Sequence, residues 1–261
     1  MQYERRFGKI GRKPDQLYRD LLVAQIVERG SGNFLSTYKT EAISRGVQIV
    51  AVLDFFYRLV NRPKGLCTMA SFSSLLAEVR ACSICEAHLP LGPRPILQLH
   101  PSARVLIAGQ APGRKVHESG VPFDDASGNR LREWLSVTRE VFYDPRQVAI
   151  LPMGFCFPGS GRAGDLPPRP ECAPAWRQQL LHKLPHLELT LVLGQYAQAY
   201  HFGEQSSSLT ELVKSWRIYW PHMVPLPHPS PRNNLWLRRN PWFEDKLLPS
   251  LRKRVSEVLA R

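Results

Sequence analysis

Three short apolar runs, Val105-Leu106-Ile107-Ala108, Val148-Ala149-Ile150-Leu151 and Leu189 to Leu193, constrain the chain most, because helical segments separate them. A fourth, Met223-Val224-Pro225-Leu226, leads into a loop near the C-terminus. Runs this short and this uniformly apolar suit strands buried on both faces, and alternation with helices favours a mainly parallel sheet. Helices are expected over Ser71 to Arg80, Asn129 to Leu135, Cys172 to Leu184, Gly194 to Tyr200 and from Phe243 onward. The expected fold is therefore α/β, doubly wound, with helices on both faces of a central sheet.

Two of the runs end in loops built for ligands. Gly109-Gln110-Ala111-Pro112-Gly113 follows the first, and His228-Pro229-Ser230-Pro231-Arg232-Asn233 follows the last. Loops at the ends of parallel strands combine a rigid scaffold with backbone amides free to meet a ligand. Gly109 and Gly113 allow close backbone approach, Gln110 and Ala111 offer amides, and Pro112 stiffens the turn.

The charge balance narrows the partner. With 35 Lys and Arg against 22 Asp and Glu, the formal net charge is +13, which favours a polyanion through phosphate contacts. Towards the C-terminus Arg232, Arg238, Arg239, Lys246, Arg252, Lys253 and Arg254 interleave with Trp236 and Trp242. Aromatics among cations suit stacking or wedging against bases, although tryptophan also serves in cores. No apolar run is long enough to span a membrane and no signal-like stretch follows the basic N-terminus, so a cytoplasmic protein is expected.

Residues 1–65 differ from the rest. Tyr18 to Val27 and Val47 to Val60 suggest short helices, with a turn near Gly30 to Asn33 and a linker at Asn61-Arg62-Pro63-Lys64-Gly65. The division expected is a basic helical extension, 1–65, of unknown role, and an α/β domain, 66–261. The functional unit could begin near Met69.

Four of the five cysteines have spacing that suits a metal site. Cys82 and Cys85 form a tight pair, Cys156 follows the second apolar run, and Cys172 lies beyond a Gly/Pro-rich excursion. Four thiolates hold either a 4Fe–4S cluster or zinc, and the pair alone equally suits redox chemistry or two buried thiols. Cys67 stands outside this pattern.

Taken in order, these segments resemble the uracil-DNA glycosylase superfamily, closest to its iron–sulfur-bearing branch. The likeness runs from Cys82 to the C-terminus through the Gly109–Gly113 loop, Gly120-Val121-Pro122-Phe123, Leu193-Gly194 and His228-Pro229-Ser230. It implies a DNA glycosylase that hydrolyses the N-glycosidic bond of uracil or a related deaminated or damaged base flipped out of DNA; no lysine stands in a context that calls for a Schiff base, so a monofunctional enzyme is expected, and a monomer. It favours a 4Fe–4S cluster on Cys82, Cys85, Cys156 and Cys172 over zinc. By the same resemblance His228 stabilises the departing base, Phe123 stacks on it, and Ser230 shapes the loop. Arg232, Asn233 and Leu235 follow where the family inserts a wedge, a gap for Leu235 or Trp236 to fill, and the basic stretch adds Arg238 and Arg239 as DNA-binding residues. Outside that context, His228 suits a loop cap and Phe123 a core position.

Two departures affect the chemistry. Gln110 stands where cluster-bearing relatives carry Glu, and Val116 and His117 where they carry Glu and Asp, so Asp124 or Asp125 is expected to position water, with Gln110 as an alternative. Pro152 stands where relatives place an Asn that reads the uracil edge. Proline offers no side-chain polar atom and no N–H, which shifts base recognition to the first loop and the Met153-Gly154 backbone. A catalytically weak or inactive nucleic-acid-binding relative is the alternative, and an α/β protein with a small-molecule role a third.

Overall fold

A computed structural model describes residues 71–162, 164–203 and 208–260. These fall in the second of two units into which the chain divides, Ala70–Arg261. The expected N-terminal helices, turn, linker and start near Met69 lie outside the described residues.

Among the described residues six strands form: β1 (Val105–Ala108), β2 (Val148–Ile150), the two-residue β3 (Ser160–Gly161) and β4 (Gly164–Asp165), β5 (Leu189–Leu193) and β6 (Met223–Leu226). The four expected from apolar runs make one sheet in the order β2-β1-β5-β6. Every neighbouring pair is parallel, with Ile107 opposite both Ile150 and Leu191. The two short strands form a separate antiparallel hairpin.

Side-chain alternation along β1 divides the core in two. Val105 and Ile107 pack on one side with Leu131, Leu251 and Val255, while Leu106 packs on the other with Leu75, Val79 and Leu180. The helices among the described residues are α1 (Phe72–Arg80), α2 (Arg114–Ser119), α3 (Ala126–Leu135), α4 (Arg139–Tyr143), α5 (Gln178–Leu181), α6 (Gly194–Phe202), α7 (Leu209–Lys214), α8 (Asn234–Arg239) and α9 (Leu248–Leu259), of which α1, α3, α5 and α9 supply these residues. Helices on both faces of a parallel sheet make the doubly wound α/β arrangement that the apolar runs predict. None of the helices is long and apolar enough to cross a membrane, among the described residues.

Local chemistry explains where elements begin and end. Pro225 sits in β6 at the sheet edge, where a missing N–H does least harm. The other edge is sealed by Gln98, whose backbone exchanges hydrogen bonds of 2.9 and 2.7 Å with Ile150 and whose side chain donates to Val148 O at 2.7 Å. The helix expected over Cys172 to Leu184 begins as a wide π turn, Ala173–Arg177, before tightening into α5. Pro174 falls in its first turn, where a missing N–H removes no helical hydrogen bond. The terminal helix begins in the same way, as the π turn Phe243–Leu247 ahead of α9.

Candidate active site

The first loop is held by the segment that follows β2. Met153 N and Gly154 N each donate at 2.9 Å, to Gly109 O and Gln110 O respectively. These two amides, expected to face a ligand, are therefore committed to the loop, and neither residue lines the cavity described below. Gly113 ends the loop as the N-cap of α2.

Downstream, Phe123 adopts φ +55°, a left-handed conformation that a bulky residue holds only when its surroundings enforce it. Two neighbours do so. A side chain at Gly128 would place its Cβ 1.8 Å from Phe123 O, so glycine there lets the backbone pass. Phe142 meets the Phe123 ring edge-on at 6.2 Å. Asp125 caps α3, its Oδ1 accepting from Gly128 N at 2.9 Å. Asp124 turns outward into an ion pair with Arg139 at 3.0 Å.

The second loop is cross-braced. Arg130 on α3 donates to Ser230 O at 3.0 Å and to Asn234 Oδ1 at 2.8 Å, and Asn233 Nδ2 donates to His228 O at 2.6 Å. Gly194 at φ +75° opens α6 beside the His228 ring. Ser230 N donates to His228 Nδ1 at 3.2 Å, so the neutral ring carries its proton on Nε2. Burial lowers the His228 pKa, opposed by the charges of Asp125 and Asp165, so the neutral form is favoured.

Both loops meet in one cavity of about 500 Å³. Of the expected site residues, Gly109, Gln110, Ala111, Pro112, Gly113, Phe123, Asp125, His228, Ser230, Arg232 and Asn233 line it. Asp124, Leu235, Trp236, Arg238 and Arg239 do not. Gln110 lies with its amide donating to Leu166 O at 3.2 Å. On α8 the indole of Trp236 is anchored, its N–H donating to Thr210 Oγ1 at 2.9 Å and its ring packed on Trp242 and Phe243. Leu235 is 56% exposed, so of the two wedge candidates it is the one facing solvent.

The cavity also contains residues that the motifs did not single out. Lys115 enters from the first turn of α2, and Asp165 and Gly164 from the hairpin. A Cβ at Gly164 would lie 1.7 Å from Arg232 Nη1, so glycine there makes room for an arginine reaching from the second loop. The only trace of this wall in the sequence is the Gly/Pro-rich excursion between Phe157 and Glu171.

Pro152 also lines the cavity, and its carbonyl is held by a buried cation. Arg177 donates to Leu151 O at 2.7 Å and to Pro152 O at 3.0 Å, and its second Nη lies 2.8 Å from His201 Nε2. Burial lowers the Arg177 pKa to about 10, and burial together with Arg177 lowers that of His201 to about 3. His117 is shifted the same way, by burial and by Arg94.

These three histidines, each with a lowered pKa, make stability fall in acid. Unfolded imidazoles bind protons below about pH 6.5, whereas the folded ones resist until lower pH, near 3 for His201. The unfolded state therefore gains protons first, and stability declines as pH drops from about 6.5. Thermal unfolding at pH 7.5 and pH 5.0 should show a lower Tm at pH 5.0, with a smaller drop in His201→Gln. An equal or higher Tm at pH 5.0 would contradict this.

The four cysteines require a correction. Among the described residues, no group of three or more His, Cys, Asp or Glu side chains is arranged to hold a metal ion. Neither the 4Fe–4S cluster nor zinc therefore stands. Cys82, Cys85, Cys156 and Cys172 do border one space, but it measures about 10 Å³, roughly the room for one water. The Trp176 indole donates to Cys82 Sγ at 3.2 Å. Burial pushes the Cys156 thiol to about 11 and the Cys172 thiol to about 12, so both are protonated and pack as small apolar groups.

The model of the uracil DNA glycosylase superfamily matches residues 98–252, a span that contains both loops and the strands carrying them. With more than half of its length matched, and every cavity-lining residue but Ile96 inside the matched span, the chain belongs to the uracil DNA glycosylase superfamily, a class of glycosylase-like hydrolases.

Proposed function

We propose that the protein excises uracil or a related deaminated base from DNA by hydrolysing the N-glycosidic bond, with no lyase step. The observation that carries this reading is a neutral His228, its Nε2–H available, in the same cavity as Phe123. Excision needs the base out of the stack, negative charge stabilised as it leaves, and water at the sugar carbon. Phe123 offers a face for the extruded base. His228 donates to the base carbonyl as anionic charge builds, without first having to be a strong acid. Asp125 is the aspartate of the Asp124–Asp125 pair that reaches the cavity, and it holds the water.

Leu235, exposed on α8, fills the vacated stack, and Arg238 and Arg239 on the same helix meet phosphates. Pro152 makes part of the wall donor-free, which favours bases recognised through the first loop and His228 over those needing a paired donor and acceptor. The same two positions support a second reading, a weak or inactive DNA-binding relative. Gln110 is tied to Leu166 O, and the Pro152 carbonyl is taken by Arg177.

Strand-cleavage assays on oligonucleotides containing uracil, hypoxanthine or xanthine, single-stranded and paired, separate the two. Excision of at least one base under single-turnover conditions is expected. Salt-dependent DNA binding with no excision of any of the three would leave only the second reading.

A further inference from the structure

We propose that Asp165, on the hairpin β3–β4, is the carboxylate that takes the proton from the attacking water. The inference rests on the glycosylase reading above and names a residue that the signature loops do not contain.

Among the described residues three aspartates lie in or beside the cavity wall, and their surroundings separate them. Asp124 is neutralised by Arg139 and does not line the cavity. Asp125 does, but its Oδ1 is committed to capping α3. Asp165 lines the cavity, and its Oδ1 accepts from Ser160 Oγ at 3.1 Å, which orients the carboxylate from within the hairpin. Its Oδ2 comes against the first loop, 3.1 Å from where a Cβ at Gly113 would stand. Glycine at 113 is therefore what allows an acidic oxygen so close to that loop. Among the described residues no ion pair neutralises Asp165. Its charge also acts on His228, so the two groups share one electrostatic environment.

A carboxylate and a neutral imidazole in one cavity divide the reaction between them. The bond from C1′ to the base nitrogen breaks, and its electron pair leaves with the base, whose carbonyl His228 holds. Water oxygen bonds to C1′, and one water proton passes to Asp165 Oδ2. That proton is later released to solvent, and the base anion takes one up, so the products are the sugar hydroxyl and the neutral base. Asp125 positions the same water through its remaining oxygen.

The test is Asp165→Asn, which keeps the shape and the bond to Ser160 but cannot take the proton. Single-turnover excision should fall by about 10²- to 10⁴-fold, with DNA Kd and Tm unchanged. Asp165→Glu should recover part of the loss, and added formate should restore excision by Asp165→Ala in a concentration-dependent way. Wild-type excision rates in Asp165→Asn would overturn the proposal. So would parallel losses of excision and DNA affinity with no recovery by formate, which would make Asp165 part of the wall. If the wild type excises none of the three bases, the glycosylase reading fails and this one falls with it. An active wild type with an equally active Asp165→Asn sinks only the role of Asp165.

Discussion

His228→Ala should lower single-turnover excision by about 10²- to 10³-fold and leave DNA affinity within a few-fold of wild type. In the proposed reaction the size follows from the donor's task. A hydrogen bond aimed at an oxygen that gains charge strengthens as the bond to the sugar breaks, so its loss falls on the rate and not on binding. The imidazole also accepts from Ser230 N through Nδ1, and alanine removes that brace along with the Nε2 donor. His228→Asn separates the two contributions, because a short amide oxygen can still accept from the amide two residues on. If Asn restores excision to near wild type, His228 holds the loop and does not stabilise the leaving base. The lowered pKa adds a pH signature: the neutral donor persists as pH falls below about 6.5.

Gly128→Ala should be the most damaging substitution of a residue that offers no side chain to the reaction. Its new Cβ would lie 1.8 Å from Phe123 O and 2.7 Å from Phe123 C, and both are backbone atoms that cannot swing aside. Either the first turn of α3 moves, breaking the cap from Asp125, or Phe123 leaves its left-handed conformation. Overpacking of this kind costs about 1–3 kcal/mol. Because Phe123 and Asp125 both line the cavity, excision should fall further than stability alone accounts for. Glu133→Ala, exposed on the same helix, should leave Tm and rate unchanged. An unaltered Tm and excision rate in Gly128→Ala would show that the Phe123 conformation does not depend on this contact.

Much of the scaffold was legible because it rests on short-range chemistry. The apolar runs at 105, 148, 189 and 223 carry no polar side chain except Thr190, so burial on both faces was their only stable outcome. The short helices α2, α4, α7 and α8 went unanticipated, since five or six residues hold too few periods to show. One signal was present for α7: Ser208 and Glu211 form a reciprocal capping box. The hairpin β3–β4 was missed for the opposite reason. Its two-residue strands, rich in glycine and exposed, have no hydrophobic pattern at all.

Cysteine spacing failed as a guide because it reports separation along the chain and not the geometry of four sulfurs. Asp124 and Asp125 show the same limit at one residue's resolution. Adjacent and identical in type, they differ only in that one caps α3 beside the cavity and the other pairs with Arg139.

By itself the sequence determined the parallel sheet and the two loops at its strand ends, because burial and glycine's freedom act residue by residue. Tertiary structure alone decided which aspartate reaches the cavity, that Met153 and Gly154 amides hold a loop instead of a ligand, and that Asp165 and Arg232 belong to the same wall. Those outcomes depend on partners distant along the chain, whose distances and hydrogen bonds exist only once the two halves of the sheet have come together.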